Sequence, residues 1–219
     1  MTLSGEFETK VSGTEEFTVQ QGDESGLAGY FSRETGARRY ELKDRLGDQH
    51  MVLGSKNVFA VEYEITQVSR RGSAFGKVSV WLNNKYLGCF EDESNLFPTS
   101  STLLGIAMSS HKKVDPFFVG KSNEEVFDIM VNHINDPAYD FLRLGQYTAQ
   151  LGEPFDDFNK RVFSKENKVV FMWKLDSRGI FSYPDYPEEL QVEEVLQEDL
   201  YKVAREFDSR LREAVSASG

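Results

Sequence analysis

Three histidines and one cysteine are the side chains of this sequence whose chemistry would be easiest to recognise. His50, His111 and His133 are far apart in the chain, and a histidine metal site would need all three to converge. Cys89 is followed by the acidic run 91–93, and negative neighbours disfavour the thiolate that a catalytic cysteine needs. We therefore interpret Cys89 as a buried structural residue and the histidines as surface or hydrogen-bonded side chains.

The sequence has none of the short motifs that mark common catalytic or nucleotide sites. It lacks G-x-G-x-x-G, a P-loop, H-E-x-x-H and any paired cysteine spacing. Glu62 and Glu64 share a predicted strand face, and paired carboxylates can act as acid and base in a glycosidase. The same spacing occurs on any half-exposed strand, so the pair predicts no specific reaction. We expect no catalytic residue, no metal ligand and no cofactor.

Acidic residues near aromatic ones are the remaining candidate for a functional surface. Carboxylates steer a cationic partner, and aromatic side chains often form the centre of an interface. The residues that we predict to contact a partner are Glu91, Asp92, Glu93, Tyr183, Asp185, Tyr186, Glu188 and Glu189. The same residues also fit a structural turn followed by the solvated face of a helix, so both interpretations stay open.

The overall charge favours a basic partner. The chain of 219 residues has 36 acidic and 25 basic side chains and a net charge of −11. Such a field repels phosphate backbones and anionic lipid, and it attracts basic protein surfaces. We expect a protein partner, and neither nucleic acid nor a membrane. The alternative is that the acidity only aids solubility.

A sheet that would position these residues is predicted by alternating apolar and polar side chains. Residues 58–65 alternate strictly, so we expect one buried and one solvent-facing side. The predicted buried side carries Phe59, Val61, Tyr63 and Ile65. Strands at 75–82 and 86–90 follow, joined by the turn 83–85, because asparagine tolerates the positive φ of a tight hairpin.

Three helices and two further strands complete the predicted elements. One helix begins near Pro98, and a second begins at Ser122, which forms a capping box with Glu125. Residues 168–175 are predicted to form a buried strand, with 179–183 as its hairpin partner. A long C-terminal helix is predicted from Pro187. Its apolar residues keep helical spacing and are Val192, Val195, Leu196, Leu200, Val203, Phe207 and Leu211.

These elements predict an α+β fold, a mainly antiparallel sheet packed by two or three helices including the long C-terminal one. Residues 1–52 contain four short alternating runs, which predict a β-rich N-terminal arm or added strands, and 53–215 form the main domain. The N-terminus has no basic or apolar stretch typical of a secretory signal, and one cysteine makes no internal disulfide. We therefore expect a cytoplasmic protein.

Residues 54–88 resemble the immunity protein 42 family of bacterial polymorphic toxin systems. The resembling segments are 59–65, 75–83 and 87–88, and a later strand at 171–173 and the C-terminal helix are similar in order. The likeness spans 53–212 and leaves out the N-terminal arm. It implies a cytoplasmic, non-enzymatic α+β protein that binds and neutralises a cognate toxin. Trp81 and Gly76 match hallmark positions of the family, where we expect structural roles.

Three functions are compatible with these observations. The first is an immunity protein that blocks a basic toxin with its acidic surface. The second is an enzyme or small-molecule-binding domain with a carboxylate-lined pocket. The third is a homo-oligomer in which aromatic patches pair. The sequence leaves open whether the chain is a monomer or a homodimer.

Overall fold

The computed structural model describes residues 7–8, 18–19, 50–108 and 114–218, and the chain divides into two units, 1–47 and 48–219. In the first unit, strands β1 (Phe7–Glu8) and β2 (Thr18–Val19) pair antiparallel. Both lie in runs that were predicted as strands, while the predicted runs 27–31 and 39–42 lie outside the described residues. The boundary at residue 52 stays a prediction.

A five-stranded antiparallel sheet begins the second unit. Its strands are β3 (Met51–Ser55), β4 (Phe59–Val68), β5 (Ala74–Leu82), β6 (Lys85–Leu87) and β7 (Glu93–Asn95). They are ordered β3-β4-β5-β6, and β7 pairs with the start of β5 while β6 pairs with its end. The long strand β5 therefore holds both chain segments that surround residues 88–92.

The hairpin between β5 and β6 is confirmed. Asn83 and Asn84 both have positive φ, as a two-residue turn between antiparallel strands requires. The predicted strand after the turn is shorter than expected, because β6 ends at Leu87. Cys89 lies in the following loop, where it is buried.

The predicted buried face of β4 is confirmed, but its opposite face is not solvent-facing as expected. Phe59, Val61 and Tyr63 are buried, and so are Ala60 and Glu62 on the other side. Alternation in a sequence shows which residues share a face of the strand. Whether that face is buried depends on chain segments that are distant in sequence and pack against it.

Gly76 has the structural role that was predicted for it. A Cβ atom at this position would lie 1.8 Å from the carbonyl oxygen of Glu64 on the neighbouring strand. The pairing of β4 with β5 shifts register between Ile65 and Gln67, next to this close approach. Only glycine lets the two backbones meet at the bulge.

A three-stranded antiparallel sheet of order β8-β9-β10 forms the other half of the unit. Its strands are β8 (Phe158–Lys165), β9 (Lys168–Leu175) and β10 (Gln191–Leu196). On β9, Phe171 and Trp173 join the main core, while Val170 and Met172 join a second, smaller cluster. Both faces of β9 are thus covered, which explains its continuous apolar sequence.

Among the described residues, three α-helices cover these sheets, and short 3₁₀ turns lie between the first helix and β8. The helices are α1 (Leu96–Met108), α2 (Asn123–Asn132) and α3 (Gln197–Ala217). The predicted capping box at α2 is confirmed, because Ser122 and Glu125 each accept the other's backbone N–H. Helix α3 packs on the main core, where the rings of Tyr63 and Phe207 are 4.9 Å apart. The 3₁₀ turns are Pro116–Phe118, Pro137–Leu142, Leu144–Tyr147 and Glu153–Phe155.

The segment before α3 differs from the prediction in two ways. Helix α3 begins at Gln197, so Val192 and Val195 lie on strand β10 and not on the helix. Strand β9 pairs with β8 and β10, so residues 179–183 are not its hairpin partner. The valine spacing fits a helix, but β9 is buried and its backbone groups need partners on both sides. This long-range pairing overrides the local pattern.

The predicted helix from Pro187 would also have carried an acidic face with Glu188, Glu189, Glu193 and Glu194, but the structure places these residues on a loop and a strand. Glu188 and Glu189 lie in the loop before β10. Glu193 and Glu194 lie on β10, where Glu193 contacts Lys85 at 2.7 Å and Glu194 contacts Lys168 at 2.8 Å. These two carboxylates hold strands and turns together.

The predicted α+β fold class is confirmed, with antiparallel sheets and a C-terminal helix of 21 residues. In the part of the chain that the structure describes, no helix has the length and apolar character needed to cross a membrane.

Candidate functional site

A depression of about 410 Å³ lies between the five-stranded sheet and the loop 176–190. Its lining includes four aromatic residues, one histidine and two carboxylates. The side chains used below are His50, Glu62, Trp81, Tyr86, Phe90, Glu91 and Tyr183. Aromatic walls with a few polar groups are typical of binding sites. The depression is therefore the candidate site.

Glu62 is the buried carboxylate of this depression. It accepts hydrogen bonds from the Trp81 indole and from Lys56 Nζ at 2.8 Å, and it lies 2.6 Å from His50 Nε2. Burial alone would raise the pKa of Glu62, but the hydrogen bonds from Lys56 and Trp81 and the charge of Lys56 outweigh it and lower the pKa. Glu62 therefore stays ionised at neutral pH.

The rim of the depression is acidic. The Glu91 side chain is 83% exposed, and its contact with Lys77 is 3.5 Å long. Burial raises the pKa of Asp92, and the negative charges of Glu153, Asp157 and Asp156 raise it further. Asp92 therefore belongs to a group of mutually repelling carboxylates, which a cationic partner would stabilise.

The loop 176–190 is fixed to the sheets by hydrogen bonds. The buried carboxylate of Asp157 accepts the backbone N–H groups of Ile180 and Phe181, both at 2.8 Å. The side chains of Ile180 and Phe181 remain 86% and 38% exposed. Two adjacent exposed apolar residues on an anchored loop can enter an interface without a large cost in chain entropy.

Tyr183 and Tyr186 anchor the same loop from inside. Their rings lie 5.1 and 5.3 Å from that of Phe158. The hydroxyl of Tyr186 accepts from the Trp173 indole at 2.7 Å and donates to the carbonyl oxygen of Tyr86 at 2.5 Å. Burial raises the pKa of both tyrosines, so both stay neutral.

The structure brings together only part of the predicted partner-binding set. Glu91 and Tyr183 line the depression, and Asp92 follows Glu91 directly. Glu93 begins β7, in register with Lys77. Asp185, Glu188 and Glu189 are exposed on the loop 176–190, outside the lining of the depression, while Tyr186 is an internal anchor. A role for these residues in partner binding stays a prediction.

Several residues of the site were not found from the sequence. Glu62 and His50 were considered and given no role, Phe181 was noted only as an aromatic residue of an acidic segment, and Ile180 was not considered for binding. The one available signal was the pair of adjacent apolar residues in a segment otherwise rich in turn-forming and polar residues. Glu62 gave no such signal, because its environment is formed by Trp81 and Lys56 from other strands and turns.

The depression is not a metal site in the part of the chain that the structure describes. Among the described residues, no three histidine, cysteine or acidic side chains are placed to hold a metal ion. A second cavity of about 260 Å³ lies between α1 and β8, and the described residues that line it carry no charge.

The family model for immunity protein 42 matches residues 51–210. The chain belongs to the immunity protein 42 family. The resemblance found in the sequence is thereby confirmed, and membership supports an immunity function. All the residues of the candidate site discussed here lie within the matched range except His50.

One similar solved structure is the crystal structure of CdiI from Burkholderia dolosa AUO158. It has a TM-score of 0.52 and 13% sequence identity, and the likeness covers 73% of this chain and 99% of that chain. At this identity the likeness shows a shared fold and leaves the site untested. Among curated proteins, no match to this immunity protein 42 family member was found.

Proposed function

We propose that this chain is an immunity protein that binds a cognate toxin and blocks it with one surface. This surface, which we call the docking face, consists of the depression together with Glu91, Asp92, Asp156, Ile180 and Phe181. The observation that supports this proposal is that Glu91 and Tyr183, which are distant in sequence, line one depression beside two exposed apolar residues. An acidic rim around an aromatic centre is typical of interfaces with basic proteins.

The proposed partner is basic, because the rim repels anions. The nearby charges of Glu153, Asp157 and Asp156 raise the pKa of Asp92, so the negative groups at this rim repel one another. A partner that covered these carboxylates without supplying positive charge would remove them from water and leave their repulsion uncompensated, which would be unfavourable. We expect a cytoplasmic complex with one toxin molecule per chain, formed at a rate that falls as salt concentration rises.

We expect a gene next to that of this chain to encode the cognate toxin, and the experiment uses the product of that gene. The two proteins are co-expressed and purified, and binding is measured by calorimetry and by association kinetics at several salt concentrations. We expect a one-to-one complex and protection of the cell from the toxin. If calorimetry at micromolar concentrations detects no complex, the proposed function is wrong.

A matched pair of charge reversals locates the interface. Glu91→Lys with Asp92→Lys changes the docking face, while Glu124→Lys with Asp140→Lys makes the same change in charge at exposed positions of α2 and a 3₁₀ turn. We expect only the first variant to slow association, by about tenfold or more. If only the second does so, the toxin docks elsewhere.

The alternative function, an enzyme with a carboxylate-lined pocket, is not favoured by the surroundings of Glu62. A general acid or base needs a pKa near the working pH and a free bonding position. Glu62 has a lowered pKa and is bonded to Trp81, Lys56 and His50. Its surroundings are those of a fixed structural charge, so the geometry favours binding.

A further inference from the structure

We propose that the depression is a subsite for one arginine side chain of the bound partner. The inference rests on the proposed function, since the toxin would be the source of the arginine. The guanidinium would stack on the rings of Tyr86 and Phe90, beside the Trp81 ring that Lys56 already covers, and pair with the carboxylate of Glu91.

The first reason is the free-energy cost of removing the Glu91 carboxylate from water when a partner covers the depression. Glu91 is 83% exposed and its partner Lys77 is 3.5 Å away, so water now provides most of its stabilisation. A partner that excludes this water must replace it with hydrogen-bond donors, because an unpaired buried carboxylate is strongly unfavourable. Glu62 needs no such replacement, because Trp81 and Lys56 already donate to it.

The second reason is that the chain itself already places a cation on this aromatic wall. Lys56 Nζ lies 4.0 Å from the centre of the Trp81 ring and is held there by Glu62. The combination of an aromatic face and a carboxylate therefore binds a positive group in this structure. Glu91 and the rings of Tyr86 and Phe90 offer the same combination to a second cation from outside.

The geometry favours arginine over lysine. The rings of Trp81 and Tyr86 are 5.7 Å apart and inclined by 50°, and Phe90 lies 5.2 Å from the His50 ring. Flat rings around an opening suit a planar guanidinium, which is weakly hydrated and stacks well. An ammonium group keeps its water more tightly and has no flat face to stack.

The experiment observes the two tryptophan indole N–H groups of the ¹⁵N-labelled chain by NMR. The Trp81 indole donates to Glu62 at the depression, and Trp173 is fully buried and serves as the reference. The probe is N-acetyl-arginine amide, and the comparison probes are the lysine and citrulline equivalents. Trp81→Phe assigns the two signals.

We expect the arginine probe to shift the Trp81 signal in a saturable manner and the Trp173 signal much less. The lysine probe should need a concentration about three- to tenfold higher, and the neutral citrulline probe should not saturate. Glu91→Gln should weaken arginine binding about three- to tenfold, whereas Glu124→Gln on α2 should not.

Three results would overturn the subsite: no saturable shift with arginine, equal shifts with citrulline, or unchanged arginine binding in Glu91→Gln. The toxin experiment above separates this failure from that of the proposed function. If the toxin binds but the arginine probe does not, the subsite is wrong and the immunity function stands. If the probe binds but no toxin does, the cation subsite stands without the immunity function.

Discussion

The indole of Trp173 donates a hydrogen bond of 2.7 Å to the hydroxyl of Tyr186, and this hydroxyl donates in turn to the backbone of Tyr86. One phenol thus joins strand β9, the loop 176–190 and strand β6. The segment that looked from the sequence like an exposed aromatic binding motif is therefore partly internal. Tyr186 positions the docking face, while Ile180 and Phe181 are the apolar groups that reach solvent.

Removal of the Tyr186 hydroxyl should destabilise the second unit. Tyr186→Phe leaves the Trp173 indole N–H and the Tyr86 carbonyl without their partner, at a cost of about 1–3 kcal/mol in the free energy of unfolding. Both tryptophans lie in this unit, so urea denaturation followed by their fluorescence measures it. Tyr201→Phe is the control, because Tyr201 is 39% exposed on α3. Equal stability of the two variants would contradict the anchoring role.

The ionised form of Glu62 should stabilise the fold in a pH-dependent way. Its folded pKa is lowered from 4.5, so its contribution is present above about pH 4.5 and is lost as pH falls through the folded pKa. Glu62→Gln should therefore lower the free energy of unfolding at pH 7 by about 1–3 kcal/mol. The difference from the wild type should narrow in denaturation curves measured towards pH 3, whereas a constant difference would reject the linkage.

The Asp157 carboxylate should hold the apolar residues of the docking face in place. Asp157→Asn replaces one acceptor oxygen by an amide donor opposite the N–H groups of Ile180 and Phe181. We expect these two amides to exchange hydrogen about tenfold faster, which corresponds to about 1.4 kcal/mol of local stability. Asp185→Asn, at an exposed position of the same loop, should leave their exchange unchanged.

The exposed apolar side chain of Ile180 should contribute directly to toxin binding. Ile180→Ser should weaken the affinity for the cognate toxin about tenfold or more. It should change the free energy of unfolding by no more than about 0.5 kcal/mol. Val119→Ser is the matched control, since Val119 is 80% exposed and Ile180 is 86% exposed. Calorimetry measures both affinities, and an equal loss in the two variants would count against the docking face.

The bulge in β4 should tolerate only glycine at position 76. The added methyl group of Gly76→Ala would lie 1.8 Å from the Glu64 carbonyl oxygen, so the strands must separate, at a cost of about 2–4 kcal/mol. Gly105→Ala should instead stabilise α1 by about 0.5–1 kcal/mol, because no atom beyond the adjacent turns of the helix lies within 4 Å of the new methyl group. Thermal unfolding of the two variants tests this prediction, because the melting temperature should fall in Gly76→Ala and rise in Gly105→Ala.

Local patterns were enough to predict much of the fold. The strand at 59–65 and its buried face, the two asparagines of the hairpin and the capping box at Ser122 all depend on neighbours within a few residues, and the structure confirms them. The family was recognisable for the same reason, since its resembling segments are strands and turns of this kind.

The position of residues 191–196 shows where local patterns fail. Their valine spacing matches a helix, yet they form β10, because pairing with β9 satisfies backbone groups that would otherwise be buried without partners. The burial of Glu62 has the same origin, because Trp81 and Lys56 reach it from other parts of the chain.

The sequence by itself determined the acidic charge, the α+β class and the individual hairpin and helix caps. The tertiary structure decided that Glu91 and Tyr183 share a depression, that Tyr186 faces inward and that Ile180 faces solvent. The physical reason is the distance along the chain over which the interactions act. Periodicity and capping act over a few residues, whereas a site forms from contacts between distant segments whose free energy no local pattern contains.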